Sequence, residues 1–361
     1  MSYKNIVITG SGSYIPTKVV KNEDFASNKF YDLEGKAFEQ SHDEISEKFH
    51  AITGIKERRY VTDDLLCSDI AAIAAGRAIK DSGVDPETIE HIIVAHNFGD
   101  IKVGTIQTDM LPSIASKVKN KLGITNPKCI AYDIIFGCPG WLQGLIQARS
   151  FMLTGMAKRC LIIGSETLSR TVDKNDRDSM IYSDGAGATV LDIVESDEEL
   201  GILSYSMGTF STKEAYYLYR GQGNVDGSNA EVSYLKMHGR KIYEFSLTHV
   251  PQAMQECLDK SGHSIDDVKK IFIHQANEKM DFEIVKRFYR LYKIRQAPEG
   301  IMPMSIGRLG NSSVATIPTL YDRILKGTNE ERHDLKKGDL ILFASVGAGM
   351  NINAVAYRYQ G

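Results

Sequence analysis

An internal repeat constrains this chain most, because it predicts two similar folding units. Helix-like segments ending at Ser82-Gly83 and Ser261-Gly262 are each followed by a short apolar run. Within these runs apolar residues correspond at one constant offset: Ile89 to Val268, Ile92 to Ile271 and Val94 to Ile273. Apolar spacings of three and four residues, followed by a β-branched run, are typical of a helix and a buried strand.

A second correspondence lies later in each half, where a strand, a tight turn and a helix are predicted. Residues 129–155 read CIAYDIIFGCPGWLQGLIQARSFMLTG, and residues 301–327 read IMPMSIGRLGNSSVATIPTLYDRILKG. Gly137-Cys138 then corresponds to Gly310-Asn311. Helices that alternate with buried strands predict α/β layers. We therefore predict two related halves, residues 1–195 and 196–361.

Composition excludes several classes of protein. A formal net charge of −3 argues against a general nucleic-acid binder. The cysteines are odd in number and lack CxxC spacing, so we expect neither a disulfide framework nor a structural zinc site: Cys67, Cys129, Cys138, Cys160 and Cys257. There is no signal-peptide pattern and no apolar run of about 18 residues. We expect a cytoplasmic protein without a membrane span.

Cys138 is the candidate nucleophile, since FGCPGW places it between a predicted strand and a predicted helix. Backbone N–H groups and the dipole at a helix N-terminus favour an anion. We therefore expect the thiol pKa to be lowered, and the same N–H groups could hold an oxyanion. A buried structural cysteine is an equally good interpretation of this position alone, and it is the one that we favour for the other four cysteines.

Two polar residues of the second half are candidate partners of Cys138. His274 directly follows the predicted strand KKIFI, and the carboxyl ends of such strands commonly carry functional groups. A neutral imidazole there could donate to an oxyanion or an enolate. Asn311, in RLGNSSVA, lies at the turn that corresponds to Cys138. A histidine held by the backbone and a helix-capping asparagine are the alternatives.

Two glycine-rich segments need separate interpretations. GSGSYIP at 10–16 has Ile15 where a dinucleotide fingerprint requires its third glycine, and no acidic ribose partner follows at the right distance. A nicotinamide-dependent oxidoreductase is therefore disfavoured. VGAGMN at 346–351 follows a predicted strand, and we expect it to supply a backbone N–H near Ala348 to an oxyanion.

Taken together, these motifs resemble the β-ketoacyl-acyl carrier protein synthase III family of the thiolase superfamily. The resemblance runs from IVITGSGSYIP to INAVAYR, and its signatures are ITGIKERRY, GCPG, GSETLSRTVDKNDRDSMIYSDGAGATVL, HQAN and GNSS. It implies an α/β thiolase fold, with duplicated halves in a five-layered αβαβα sandwich, and a homodimer.

The resemblance also implies an acyltransferase that condenses two thioesters. Cys138 would take an acyl group from acyl-CoA or acyl carrier protein. A malonyl thioester would then lose CO₂ and attack the acyl-cysteine, in fatty acid or related lipid and polyketide biosynthesis. His274 and Asn311 would stabilise the enolate, and backbone N–H groups of Cys138 and Ala348 would form the oxyanion hole. Neither a metal nor a redox cofactor is expected.

Substrate-binding positions also follow from the resemblance. Arg177, in KNDRDS, matches an arginine that contacts the CoA adenine. Lys279, Lys286 and Arg287 lie on a predicted helix after HQAN and match a basic face for acidic carrier protein. Their spacing puts them on one side of that helix, where an ordinary solvated face is the alternative interpretation.

The sequence departs from the family pattern around these sites. Lys48 and Ile52 stand where the family has an aromatic-and-arginine clamp, and extra sequence is expected around 27–46, 96–112 and 285–300. Such segments could reshape the acyl tunnel or its lid. Two alternatives therefore stay open: a dialkylresorcinol-type ketosynthase that joins two longer acyl thioesters, and a non-condensing acyltransferase of the same fold.

Overall fold

The computed structural model describes residues 2–225, 227–229 and 231–361. Its strands are β1 (Tyr3–Tyr14), β2 (Lys18–Lys21), β3 (Glu57–Tyr60), β4 (His91–Ala95), β5 (Asp100–Ile101), β6 (Thr108–Asp109), β7 (Ile130–Ile134), β8 (Arg159–Thr167), β9 (Asp184–Ser196), β10 (Gly201–Thr209), β11 (Leu218–Gly221), β12 (Tyr234–Met237), β13 (Val268–Ile273), β14 (Leu340–Gly347) and β15 (Asn351–Arg358). Its α-helices are α1 (His42–Thr53), α2 (Cys67–Ser82), α3 (Ile114–Lys121), α4 (Gly140–Leu153), α5 (Gly239–Ser261), α6 (Glu278–Leu291), α7 (Ile306–Leu309) and α8 (Thr316–Leu325).

The two large sheets repeat one pairing pattern. The first has the order β1-β9-β8-β4-β7 and the second the order β10-β15-β14-β13. In each sheet the first three strands pair antiparallel and the next pair is parallel. This match supports the two predicted halves, although the boundary between residues 195 and 196 stays a prediction.

Helices cover both sheets and also separate them. In the apolar core between the sheets, Leu145 of α4 and Leu320 of α8 pack with Ile8 of β1 and Phe343 of β14. A second core joins α2 and α3 to the outer face of the first sheet, and a third joins α5 and α6 to the second sheet. The order of layers is therefore helices, sheet, helices, sheet, helices, as the resemblance implied.

The glycines of GSGSYIP serve packing between β1 and α2. A Cβ on Gly10 would lie 2.5 Å from the carbonyl oxygen of Ala78, and one on Gly12 would collide with the carbonyl oxygen of Ala74. Both glycines lie inside the strand, where their missing side chains let the helix approach closely. The segment is therefore a close-packed strand and does not form a phosphate-binding turn.

Helix ends follow the predicted stops. Both α2 and α5 end at a glycine in the left-handed region, Gly83 with φ +69° and Gly262 with φ +74°. Among the described residues, no helix is both long enough and apolar enough to cross a membrane. The four cysteines interpreted as structural are buried and free: Cys67, Cys129, Cys160 and Cys257.

Candidate active site

Cys138 lies on the turn between β7 and α4, as its sequence context predicts. Gly137 adopts φ +67°, and α4 begins at Gly140. A Cβ on Gly137 would lie 2.5 Å from the amide nitrogen of Ala348, and a Cβ on Gly347 would collide with the amide nitrogen of Cys138. Two glycines thus let the turn before α4 and the end of β14 approach each other, which brings the Cys138 and Ala348 amides to one place.

The expected lowering of the Cys138 pKa is wrong for this structure. Burial raises the pKa of the Cys138 thiol to about 12, and the nearby carboxylate of Glu166 adds to the increase. A hydrogen bond from the Ser313 hydroxyl to Cys138 Sγ, at 3.3 Å, opposes it. Desolvation of the anion outweighs that hydrogen bond. The resting side chain is therefore a thiol.

His274 follows β13 directly, and its backbone N–H donates to the carbonyl oxygen of Ala344 on the neighbouring strand at 2.9 Å. The side chain is buried, and among the described residues its Nδ1 has no hydrogen-bond partner. Burial lowers the pKa of His274 to about 4. The ring is therefore neutral at physiological pH and can donate one N–H without being a strong acid.

Asn311 follows Gly310 in the turn before α8 and is held by its backbone. Its N–H donates to the carbonyl oxygen of Ile181 at 3.0 Å, and its carbonyl oxygen accepts from the Ser183 N–H at 2.8 Å. Its side-chain Oδ1 accepts from the Ser313 N–H at 2.8 Å. Because the amide oxygen is engaged, the NH₂ group is left to donate to a ligand. Asn311 is not the cap of α8, which begins only at Thr316.

One cavity of about 270 Å³ brings together the residues predicted from the sequence. Its wall includes Cys138, His274, Asn311 and Ala348. A thiol, a neutral imidazole, a side-chain amide and two backbone amides thus surround one space. Such a set can form a thioester on sulfur and can stabilise negative charge on oxygen.

Comparisons with known proteins agree with this geometry. The family description "3-Oxoacyl-[acyl-carrier-protein (ACP)] synthase III" matches residues 132–211, and its C-terminal part matches residues 258–359. The chain is 33% identical over 357 residues to the β-ketoacyl-[acyl-carrier-protein] synthase III of Erythrobacter litoralis, covering 98% of each chain. It is 32% identical over 355 residues to the enzyme of that name from Geobacillus kaustophilus, again covering 98% of each.

The chain belongs to the β-ketoacyl-acyl carrier protein synthase III family. The crystal structure of the Thermus thermophilus enzyme of this name matches with a TM-score of 0.79 at 28% identity, covering 98% of this chain and 99% of that one. The predicted thiolase fold is thereby confirmed. The chain is a condensing acyltransferase, as members of this family are.

A second cavity, of about 390 Å³, adjoins the first and shares residues with it, among them Tyr182, Met237 and Asn311. We call the cavity that contains Cys138 the inner cavity and the second one the outer cavity. Arg177 lines this outer cavity, with its guanidinium 5.5 Å from the ring centroid of Phe38 and 3.0 Å from Asp178. Lys48 and Ile52, the positions that depart from the family clamp, also line it. An aromatic-and-arginine pair therefore lines this cavity, although Phe38 comes from a different segment.

The predicted basic residues of α6 lie on the surface. Lys279, Lys286 and Arg287 are exposed. Lys286 and Arg287 both pair with Glu283, at 3.2 and 3.3 Å, which the sequence interpretation did not consider. Because Glu283 partly neutralises this face, its net positive charge is smaller than the count of basic residues suggests.

The segments predicted to reshape the site contribute unequally. Segment 27–46 supplies Phe38, Gln40, Glu44 and Ile45 to the outer cavity, and segment 96–112 supplies Asn97 and Phe98 to the inner one. The described walls of both cavities contain no residue from 285–300. The first two segments therefore shape the site, and the third does not line it.

Sequence reasoning missed three polar side chains beside the nucleophile. Ser313 contacts Cys138, Asn97 contacts Ser313, and Glu166 contacts Asn97. Asn97 comes just after β4, and Glu166 lies near the carboxyl end of β8. The signal that identified His274, a polar residue at the end of a buried strand, could have found both.

Proposed function

We propose that this enzyme transfers an acyl group from a CoA or carrier-protein thioester to Cys138 and condenses it with a malonyl thioester. The single observation that carries the proposal is the inner cavity, whose wall includes Cys138, His274, Asn311 and Ala348. The family relationship supports the reaction class. The product is a β-ketoacyl thioester for fatty acid or related lipid synthesis.

In the first step the Cys138 thiol gives its proton to solvent water, and its sulfur attacks the acyl carbonyl carbon. The tetrahedral oxyanion accepts hydrogen bonds from the backbone amides of Cys138 and Ala348. When the intermediate collapses, the carbon–sulfur bond to the donor breaks. The departing thiolate takes a proton, and a new thioester remains on Cys138.

In the second step a malonyl thioester binds near the acyl-cysteine and its carboxylate leaves as CO₂. The electron pair of the broken carbon–carbon bond delocalises onto the thioester oxygen, giving an enolate. His274 and Asn311 donate to that oxygen. Because burial lowers the pKa of His274 to about 4, its neutral ring stabilises the enolate without protonating it. The carbon then attacks the acyl thioester, and the Cys138 thiolate is released.

The outer cavity fits the role of an entrance for a phosphopantetheine thioester. Arg177, Lys48 and Arg240 line it and could pair with phosphate groups. An acidic carrier protein would bind at Lys279, Lys286 and Arg287. The ion pairs of Glu283 with Lys286 and Arg287 would weaken that electrostatic attraction. We further propose that the enzyme is a cytoplasmic homodimer and that decarboxylation replaces any need for a redox cofactor or a metal.

Intact-protein mass spectrometry tests the first step. Incubation with acyl-CoA esters of increasing length should add the mass of one acyl group. The ester that acylates the largest fraction of the enzyme identifies the preferred substrate. Hydroxylamine at neutral pH should remove the added group, as it does from a thioester. Cys138→Ser should form no such hydroxylamine-sensitive adduct. The control is Cys129→Ala, which changes a buried cysteine outside both cavities and should acylate like the parent enzyme.

Labelled CO₂ release from malonyl carrier protein tests the second step. A condensing enzyme releases CO₂ and forms a β-ketoacyl product in equal amounts. An enzyme that acylates Cys138 but passes the acyl group to an alcohol or amine without releasing CO₂ would be a non-condensing acyltransferase, and the proposal would then be wrong.

A further inference from the structure

A chain of buried polar side chains leads away from the candidate nucleophile. The Ser313 hydroxyl lies 3.3 Å from Cys138 Sγ, and Asn97 Nδ2 lies 3.2 Å from Ser313 Oγ. The same Asn97 nitrogen contacts a carboxyl oxygen of Glu166. Ser313 and Glu166 are almost fully buried, with 4% and 1% of their surface exposed. The four side chains come from four separate elements, so tertiary packing alone brings them together.

The chemistry of these groups gives the chain a direction. An amide nitrogen donates hydrogen bonds and does not accept them. Asn97 therefore uses one hydrogen on Glu166 and the other on Ser313 Oγ. The Ser313 oxygen accepts from Asn97, and the single hydroxyl hydrogen is donated to the sulfur. A hydroxyl that donates to sulfur stabilises the thiolate more than the thiol.

Backbone strain at Ser313 also supports a functional role for its hydroxyl. Ser313 has φ +53°, a region that residues other than glycine seldom adopt. Its N–H is held by Asn311 Oδ1 at 2.8 Å. Strained backbone of this kind persists where the surrounding structure fixes it, often at functional sites. Here the conformation carries the hydroxyl to the sulfur.

We propose that Ser313, oriented by Asn97 and Glu166, is a positioning residue that stabilises the thiolate of Cys138 for acyl transfer. The inference deepens the proposed function and rests on Cys138 being its nucleophile. Glu166 serves as the fixed acceptor that orients the Asn97 amide. It is also the distant end of the chain, with Asn97 and Ser313 between it and the sulfur.

The titratable groups around the sulfur set the background for this role. Glu166 affects the thiol electrostatically, and burial raises the pKa of Glu166 to about 8. Tyr182 lies near Cys138, and burial raises its pKa well above the usual range. His274 is neutral because burial lowers its pKa. Near neutral pH these three groups are mostly uncharged, which leaves Ser313 as the oriented donor beside the thiolate.

The test measures the rate at which iodoacetamide alkylates Cys138 between pH 6.5 and 9.5, followed by intact mass. Ser313→Ala and Ser313→Gly should both react about tenfold more slowly at each pH, since loss of one hydrogen bond to a charged group raises the thiol pKa by roughly one unit. The glycine variant relieves the backbone strain, so an equal loss in both variants assigns the effect to the hydroxyl.

Two further variants separate orientation from general structure. Asn97→Ala should also slow alkylation about tenfold, because Ser313 loses its directing donor. Glu166→Gln keeps an acceptor oxygen and should restore most of the rate lost in Glu166→Ala. Ser312→Ala removes the neighbouring hydroxyl, which lines neither cavity in the described structure, and serves as the matched control.

Parent-like alkylation by folded Ser313→Ala and Ser313→Gly would overturn the inference, as would equal rates in Glu166→Gln and Glu166→Ala. Folding is checked by the melting temperature of each variant. Because alkylation needs no malonyl substrate, the result is independent of condensation. A Ser313-dependent thiol in an enzyme that releases no CO₂ would refute the proposed function and leave this inference intact.

Discussion

The turns at Cys138 and Asn311 occupy corresponding places in the two halves but are built differently. At the first, Gly137 takes φ +67° and α4 begins at Gly140. At the second, Gly310 takes φ +61°, and α8 begins only at Thr316 after an intervening 3₁₀ turn. The early helix presents a sulfur. The delayed one leaves room for the Asn311 amide, which lines the same cavity, and for the Ser313 hydroxyl, which contacts that sulfur.

The difference indicates how the two halves of a repeat can take different roles. The first turn offers a nucleophile and a backbone amide, which acyl capture needs. The second offers the Asn311 amide, which lines the same cavity as His274 and serves decarboxylation, and the Ser313 hydroxyl, which contacts the sulfur. Changes at the first turn should therefore affect acylation, whereas changes at the second should affect decarboxylation and, through Ser313, acylation as well.

The largest expected effect concerns decarboxylation. His274→Ala should lower CO₂ release by about 10²–10³-fold, because an oriented donor to the enolate oxygen is lost. Acylation of Cys138 should change little. The rate of CO₂ release and the mass of the acyl-enzyme, both measured on the same preparation, separate the two steps.

Asn311→Ala sharpens this comparison. It should slow CO₂ release similarly, but it should also slow acylation several-fold, since Asn311 Oδ1 holds the Ser313 backbone. If His274→Ala abolished acylation while CO₂ release survived, the assignment of half-reactions to turns would be wrong.

The next effect concerns the first turn. Gly137→Ala should lower the acylation rate by about 10–100-fold, because a Cβ there would lie 2.5 Å from the Ala348 amide nitrogen and displace an oxyanion donor. Gly155→Ala is the matched control, since Gly155 has φ +78° and open space around its Cβ position.

The control should lose about 1 kcal/mol of folding stability from backbone strain alone. Its acylation rate should stay that of the parent enzyme. Thermal melting and acyl-enzyme formation give the two readings, and equal acylation by both variants would contradict the proposed contact.

How far the sequence predicts this site depends on the kind of contact. Cys138, His274 and Asn311 each lie at the end of an element that local pattern identifies, and the repeat relates two of them. Asn97 and Glu166 reach Ser313 only because separate strands and a loop pack together. No local pattern specifies such a meeting, so the chain behind Ser313 was not predicted.

The sign of the Cys138 pKa shift was missed for a related reason. A helix N-terminus is visible in sequence, and it favours a thiolate. Burial is a property of the whole fold, and here it is the larger effect. Glu283 illustrates the same limit on α6, where its ion pairs offset a basic face that sequence spacing alone predicts.

The last comparison is the pH response, which should differ between the two half-reactions. Burial raises the pKa of Cys138 to about 12, so the thiolate fraction and the acylation rate should rise about tenfold per pH unit at neutral pH. The rise should become less steep above about pH 8, where Glu166 becomes charged and opposes the thiolate. Burial lowers the pKa of His274 to about 4, so this ring stays neutral over that range and loses its function only as pH falls through about 4. The rate of decarboxylation by a pre-acylated enzyme should therefore change little from pH 6.5 to 9.

Single-turnover assays of each step provide the measurement. A decarboxylation rate that fell as pH rose through 6 to 7 would indicate that a charged imidazole is required, and the neutral role of His274 would be refuted.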